Sequence, residues 1–223
     1  MGYRLENKEI DLSRLRKVTF LPSQKAGEVY RYKNYVLRIF KDGEKVIDEE
    51  TAKYLTSIAT DRIVLPRKLL FYNNTFKGYA MKLVSQKGSG KRIITTPKED
   101  FIGCIESLER DIETLSQKKV LLNDINPGYT LYNGELYLVN PVNYSTLDIG
   151  DSSALEQLNR FQLHLLLTEL IASDLRKSKC SPAIINHFKE ILSLRENDET
   201  SSSYLREVMK GQDNIKELVK KIR

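Results

Sequence analysis

The sequence predicts an α+β fold in which a β-rich first part, carrying one helix, precedes a mostly helical second part. Three observations lead there. Apolar and polar residues alternate with a period of two over Glu28–Lys41 and again over Lys68–Val84. A single window between them, Glu44–Ala59, switches to helical spacing. Beyond residue 95 helical spacing dominates, interrupted by one hairpin.

Each element has a local cause. Glu28-Val-Tyr-Arg-Tyr32 and Tyr35-Val-Leu-Arg-Ile-Phe-Lys41 are rich in β-branched and aromatic residues and flank Lys33-Asn34, so they form a hairpin. Asp42-Gly43 ends the second strand. Ile47, Thr51, Tyr54, Leu55 and Ile58 then share one helix face. Lys68–Tyr72 and Phe76–Val84 make a second strand pair around Asn73-Asn74. Ser85-Gln-Lys-Gly-Ser-Gly-Lys-Arg92 has linker composition, and it lacks the Gly and Ser/Thr that a P-loop requires at its ends. Pro97 opens a helix to about Lys118, with Phe101, Ile105, Leu108, Ile112 and Leu115 in register. Asn133-Gly134 joins Thr130–Tyr132 to Glu135–Val139, the strongest hairpin signal in the chain. Helices follow over Ser153–Ala172, Ala183–Leu194 and Tyr204–Ile222, the last broken near Gly211.

Composition bounds the function classes. With 223 residues, 40% hydrophobic and 30% charged, the chain suits a globular domain or two small lobes, not a disordered segment. No apolar run reaches the ~18 residues that a membrane helix needs, and the N-terminus lacks the apolar core of a signal peptide. Cys104 and Cys180 stand far apart without metal-ligand company, so reduced thiols and a cytoplasmic location are expected. The net charge of +6 comes largely from two clusters: Lys87, Lys91, Arg92 and Lys98, and Lys210, Lys216, Lys220, Lys221 and Arg223. Such clusters are either solvated surface or an attraction for nucleic acid or an anionic surface. No aromatics interleave them to stack single strands.

The order of elements, with the residues at five places, resembles the protein-kinase-like superfamily. Leu21-Pro-Ser-Gln-Lys-Ala-Gly27-Glu-Val29-Tyr30 has the spacing of the kinase Gly-rich loop, with Pro22 and Gln24 where its first two glycines stand. Tyr35-Val36-Leu-Arg38-Ile-Phe40 is similar to the V-A-I-K strand, and places Arg38 at the lysine. Glu49 or Glu50 fits the helix glutamate that pairs with that cation. Gly78-Tyr-Ala-Met81-Lys-Leu-Val84 resembles the last strand before the kinase hinge. Leu122-Asn-Asp124-Ile-Asn-Pro-Gly-Tyr129-Thr-Leu131 is similar to the catalytic loop, its Pro-Gly closer to the variant of small-molecule kinases. Asn140-Pro-Val142 falls where the metal-binding D-F-G belongs. The resemblance covers roughly residues 15–172. It implies a two-lobed kinase-like fold: an N-lobe over 1–84, a hinge over 85–95 and a compact helical C-lobe over 96–223.

The resemblance also implies decay. Phosphoryl transfer relies on a lysine on the phosphates, Mg²⁺ held by an Asp and an Asn, and an Asp accepting the hydroxyl proton. Here only the last residue type is kept, as Asp124. Tyr129 and Asn140 replace the metal ligands, and a neutral phenol and a neutral amide hold Mg²⁺ feebly. Arg38 keeps charge but not the geometry of an ammonium. Pro22 has no N–H to offer a phosphate. Gly27, Val36, Arg38, Glu49, Glu50, Met81, Tyr129 and Asn140 would then line a degenerate nucleotide cleft with weak or absent nucleotide binding, no metal, and Asp124 as a catalytic remnant.

Three functions follow as expectations. One is a pseudokinase that binds a protein partner as a scaffold or regulator. The second is an atypical phosphotransferase working through Asp124, and the third a binder of nucleic acid or an anionic surface. Asp124 equally suits a turn residue bonding nearby amides, and Arg38 with Glu49 or Glu50 equally suits a structural ion pair. His164 and His187 are expected to be packing or surface residues.

Overall fold

The computed structural model describes residues 2–18, 27–41, 43, 47–85, 91–123, 125, 127–139, 143–147, 151–196 and 198–222. Seven strands form one antiparallel sheet in the order β2-β1-β7-β8-β5-β4-β3. These are β1 (Tyr3–Leu5), β2 (Lys8–Ile10), β3 (Arg16–Lys17), β4 (Glu28–Tyr32), β5 (Tyr35–Ile39), β7 (Pro66–Tyr72) and β8 (Thr75–Lys82). The Lys33-Asn34 turn joins β4 to β5 as expected, with Lys33 at φ 53. The two-residue strand β6 (Ile63–Val64) leaves this sheet and joins β10 (Thr130–Tyr132) and β11 (Leu136–Val139).

One helix, α1 (Glu49–Thr56), packs on β7. It is shorter than the window Glu44–Ala59 suggested: Asp48 is extended, and its carboxylate accepts from the Thr51 amide at 2.6 Å as an N-cap. Ile47 therefore lies outside the helix. The helical part comprises α2 (Lys98–Gln117), α3 (Ser152–Lys177), α4 (Pro182–Ser193), α5 (Ser201–Val208) and α6 (Ile215–Ile222). Gly211, at φ 70, lies in the break between α5 and α6. Short strands β9 (Val120–Leu121) and β12 (Ser145–Thr146) pair beside the end of α2.

Strand β5 is buried on both faces, and this defines the core. Leu37 and Ile39 join Leu5, Ile10, Leu70 and Ala80 in a small outer cluster. Val36 and Phe40 face the other way, into a cluster continuous with Leu55, Leu108, Leu115, Leu138 and Leu163. The sheet and the helices thus share one core.

Buried polar groups join segments distant in sequence. The Asp111 carboxylate accepts from the amides of Asp61, Arg62 and Ile63, at 2.6 Å for Arg62 and 2.8 Å for Ile63. It so holds the entry to β6, which runs parallel to β11 through the pairs Ile63–Leu138 and Val64–Val139. Glu109 of α2 accepts from the Ser202 amide and hydroxyl at the start of α5. His164 has partners the sequence did not reveal, the Leu192 carbonyl at 2.8 Å and the Ser201 hydroxyl at 3.0 Å. Its burial lowers its proton affinity below that of an ordinary imidazole. Cys104 and Cys180 are both free thiols. Among the described residues no helix is long and apolar enough to cross a membrane.

Replacing Asp111 with alanine strands three amide donors, of which that of Ile63 is buried, at a cost of about 2 kcal/mol. Urea unfolding of Asp111→Ala should show that loss, with Asp111→Asn intermediate because one amide oxygen still accepts.

Candidate functional site

The candidate cleft is built on β5 and β8. Arg38 lies between Val29 on β4 and Tyr79 on β8, paired across with both. Val36 faces Met81 two positions along the same strands. Side chains two apart on a strand share a face, so Val36, Arg38, Tyr79 and Met81 line the inner surface of the sheet. Arg38 is 1% exposed, and its Nε and Nη2 are buried without a hydrogen-bond partner. Gly27, buried and at φ 111, brings the chain into β4 through a conformation that favours glycine.

Gly78 lets β8 approach Arg38 this closely. A Cβ there would stand 1.9 Å from the Arg38 carbonyl oxygen, and its φ of +154 disfavours L side chains. Arg38 is therefore fixed from the backbone outward, in a sheet that closes over it.

Among the described residues no ion pair joins Arg38 to Glu49 or Glu50. Both glutamates are exposed in the first turn of α1, where the helix dipole favours negative charge. Glu50 lines an outer groove with Asp48, Lys53, Tyr54, Lys118 and Lys119. The physical reason is the late start of α1: the Asp48 cap puts both carboxylates at its solvent end.

Tyr129 ends a 3₁₀ turn, Pro127–Tyr129, and packs half-buried against the core cluster that includes Val36 and Met81. Asp124 and Asn140 lie outside the described residues. Tyr144 beyond them is buried. Burial, then the neighbouring Tyr79 and Asp111, push its hydroxyl well above the ordinary tyrosine value. Among the described residues no group of three or more His, Cys, Asp or Glu side chains is placed to hold a metal.

Asn159 was not picked out from the sequence. It is fully buried on α3, where its Oδ1 accepts from the Leu122 amide at 2.8 Å. Its Nδ2 donates to the Val120 carbonyl and the Ser116 hydroxyl, both at 2.9 Å. It thereby clamps β9 and the chain entering Asn123, whose own amide donates to Ser145. The signal that could have found it is a lone amide in the apolar row Leu155-Asn159-Leu163.

A second cluster ties the Asn133-Gly134 hairpin to the entry of β6. Arg62 bonds both Glu135, at 2.6 and 2.8 Å, and the Tyr137 hydroxyl at 2.6 Å. These bonds from Arg62 and then Tyr137 hold the Glu135 carboxyl down at about 2.

The sequence matches no protein-family profile and no curated protein. Among solved structures the fold is similar to that of the kinase PK-1 of Cydia pomonella granulovirus. The TM-score is 0.55 at 11% identity, over 87% of this chain and 94% of that one. The chain has a protein-kinase-like fold, with a curled antiparallel sheet followed by a helical part.

The Glu135 shift sets an acid dependence. A glutamate that is ordinary near 4.5 when unfolded but held at about 2 when folded binds its proton more readily in the unfolded chain. Its contribution is complete above 4.5 and is lost as pH falls through about 2. Half the side chain is exposed, so the effect is at most about 1 kcal/mol. Glu135→Gln should flatten the loss of stability between pH 4.5 and 2 in acid unfolding followed by circular dichroism.

Proposed function

We propose that this chain is a catalytically silent kinase-like module, a pseudokinase, that acts by binding a protein partner as a scaffold or regulator. The observation that carries the reading is Arg38: a buried guanidinium at the lysine position, its Nε and Nη2 without a partner and both helix glutamates exposed. Phosphate positioning needs a cation held in register by a carboxylate, and here both carboxylates face solvent.

The fit to a metal–nucleotide is poor on other grounds as well. The phenol of Tyr129 packs among apolar side chains where an amide ligand would be wanted. Asn140 brings no charge to a cation that prefers anionic oxygen.

A protein partner is favoured by one face of α3. Leu158, Phe161 and Leu165 are 43%, 44% and 45% exposed at helical spacing, with uncharged Gln157 and Gln162 beside them. Such a stripe suits an uncharged apolar protein surface.

The same Arg38 also favours a second reading, an atypical phosphotransferase. Two unpaired nitrogens on a buried cation would be satisfied by an anion. Nucleotide binding decides between them. Under the pseudokinase reading, millimolar ATP with Mg²⁺ or Mn²⁺ leaves the melting midpoint unmoved, and labelled ATP transfers nothing to protein or small-molecule acceptors. A rise of several degrees, together with transfer abolished by Asp124→Ala, would establish the phosphotransferase instead. A rise without transfer that Arg38→Gln removes would keep the module silent and give the guanidinium an anionic ligand.

A further inference from the structure

Lys91 and Arg92 of one basic cluster and Lys216, Lys220 and Lys221 of the other, more than a hundred residues apart in sequence, meet around one short 3₁₀ turn, Ile93–Thr95; Lys87 and Arg223 lie outside the described residues. Lys91 and Arg92 lead directly into it and are exposed. Arg92 donates to the Ser178 hydroxyl at 2.7 Å, which draws in the exposed end of α3 with Arg176, Lys177 and Lys179. The Ile94 amide donates to Asp174, on the last turns of the same helix. From the other side α6 packs against the turn. It buries Ile215 and Val219 and leaves Lys216, Lys220 and Lys221 exposed. The Lys98 amide, donating to the Asp213 carbonyl at 2.6 Å, fixes where α6 begins.

From this convergence we infer a polyanion-binding face, and the occupant it fits is duplex nucleic acid held through its phosphates. This goes beyond the silent-cleft reading and does not depend on it. Eight exposed cations lie on three segments. The acidic groups near them are few. Glu169 is shared between Lys189 and Arg176, Glu217 accepts from the Asp213 amide, and Glu99 pairs with Arg206 and Lys98. Asp213 itself is exposed at the start of α6.

Apolar anchors decide among polyanions. Among the described residues the large exposed apolar side chains are Tyr54, Tyr72, Leu158, Phe161, Leu165 and Leu194, and none belongs to these three segments. The apolar face of α6 is turned inward, so it has nothing to insert into a bilayer. A single strand would need aromatics to stack its bases, and an acidic protein would need a buried anchor. A regular lattice of phosphates needs only the lysines and arginines.

The test is fluorescence anisotropy of the full chain with a labelled 20-base-pair duplex DNA across a salt series. Binding of about five phosphates gives a slope of log affinity against log salt near −4 to −5. Reversing Lys91 and Arg92 (Lys91→Glu, Arg92→Glu), or Lys220 and Lys221 (Lys220→Glu, Lys221→Glu), should each make that slope shallower by about 1 to 2. The same reversal at Arg31 and Lys33, exposed on the β-rich part, leaves it unchanged. The slope of the unaltered protein tests the proposal even if a variant fails to fold. No binding, a flat salt dependence, or sensitivity to only one cluster would overturn it. So would binding to phosphatidylserine vesicles without binding to the duplex.

Discussion

The Asp111 carboxylate holds the joint between the large sheet and the helical part. Strand β6 must leave the large sheet and pair in parallel with β11, which belongs to the helical part. A two-residue parallel ladder is a weak connection by itself. Three amide bonds from one buried carboxylate fix its entry, and the Arg62–Glu135–Tyr137 cluster fixes its partner hairpin from outside. The inner face of β5 and β8 is thereby set against α2 and α3 with a single shared core behind it. Asn159 does for β9 what Asp111 does for β6. Both are helix side chains that satisfy backbone groups at the entry to a short strand.

What was legible in the sequence was what local chemistry decides. The Asn133-Gly134 turn, with Gly134 at φ 106, and the pairing of β4 with β5 follow from turn residues and alternation. The break near Gly211 and the opening of α2 after Pro97 follow from the backbone limits of glycine and proline. What was not legible depends on partners far along the chain. Strands β1, β2, β3 and β6 have only two or three residues each, too few for any period. They exist because β4, β7 and β11 offer them edges.

The candidate site divides along the same line. Residue types at Arg38, Tyr129 and Asn140 can be compared with the kinase pattern from sequence alone, and so can the missing glycines at Pro22 and Gln24. Where the carboxylates of Glu49 and Glu50 point cannot, because that turns on which residue caps α1. Asp48 competes for the N-terminal amides and wins by accepting from Thr51, which sends the next two side chains to solvent. The merging of two basic clusters around Ile93–Thr95 is likewise invisible in sequence, since it rests on how α6 folds back.

Arg38 is a buried cation whose Nε and Nη2 have no partner. Replacing a buried charge with an apolar residue is often neutral or favourable, whereas leaving one unpaired is not. Yet the sheet is shaped around it: Gly78 lets β8 close over its carbonyl, and Val29 and Tyr79 wall its sides. A lysine in that place would bring a compact ammonium on a flexible stem, whereas the guanidinium brings a planar fork of five donors. The inner face of the sheet therefore holds a rigid, planar donor group between Val29 and Tyr79. Kinase phosphate chemistry matches that cation to a helix carboxylate, and here the buried guanidinium stands without Glu49 or Glu50, both exposed, beside it.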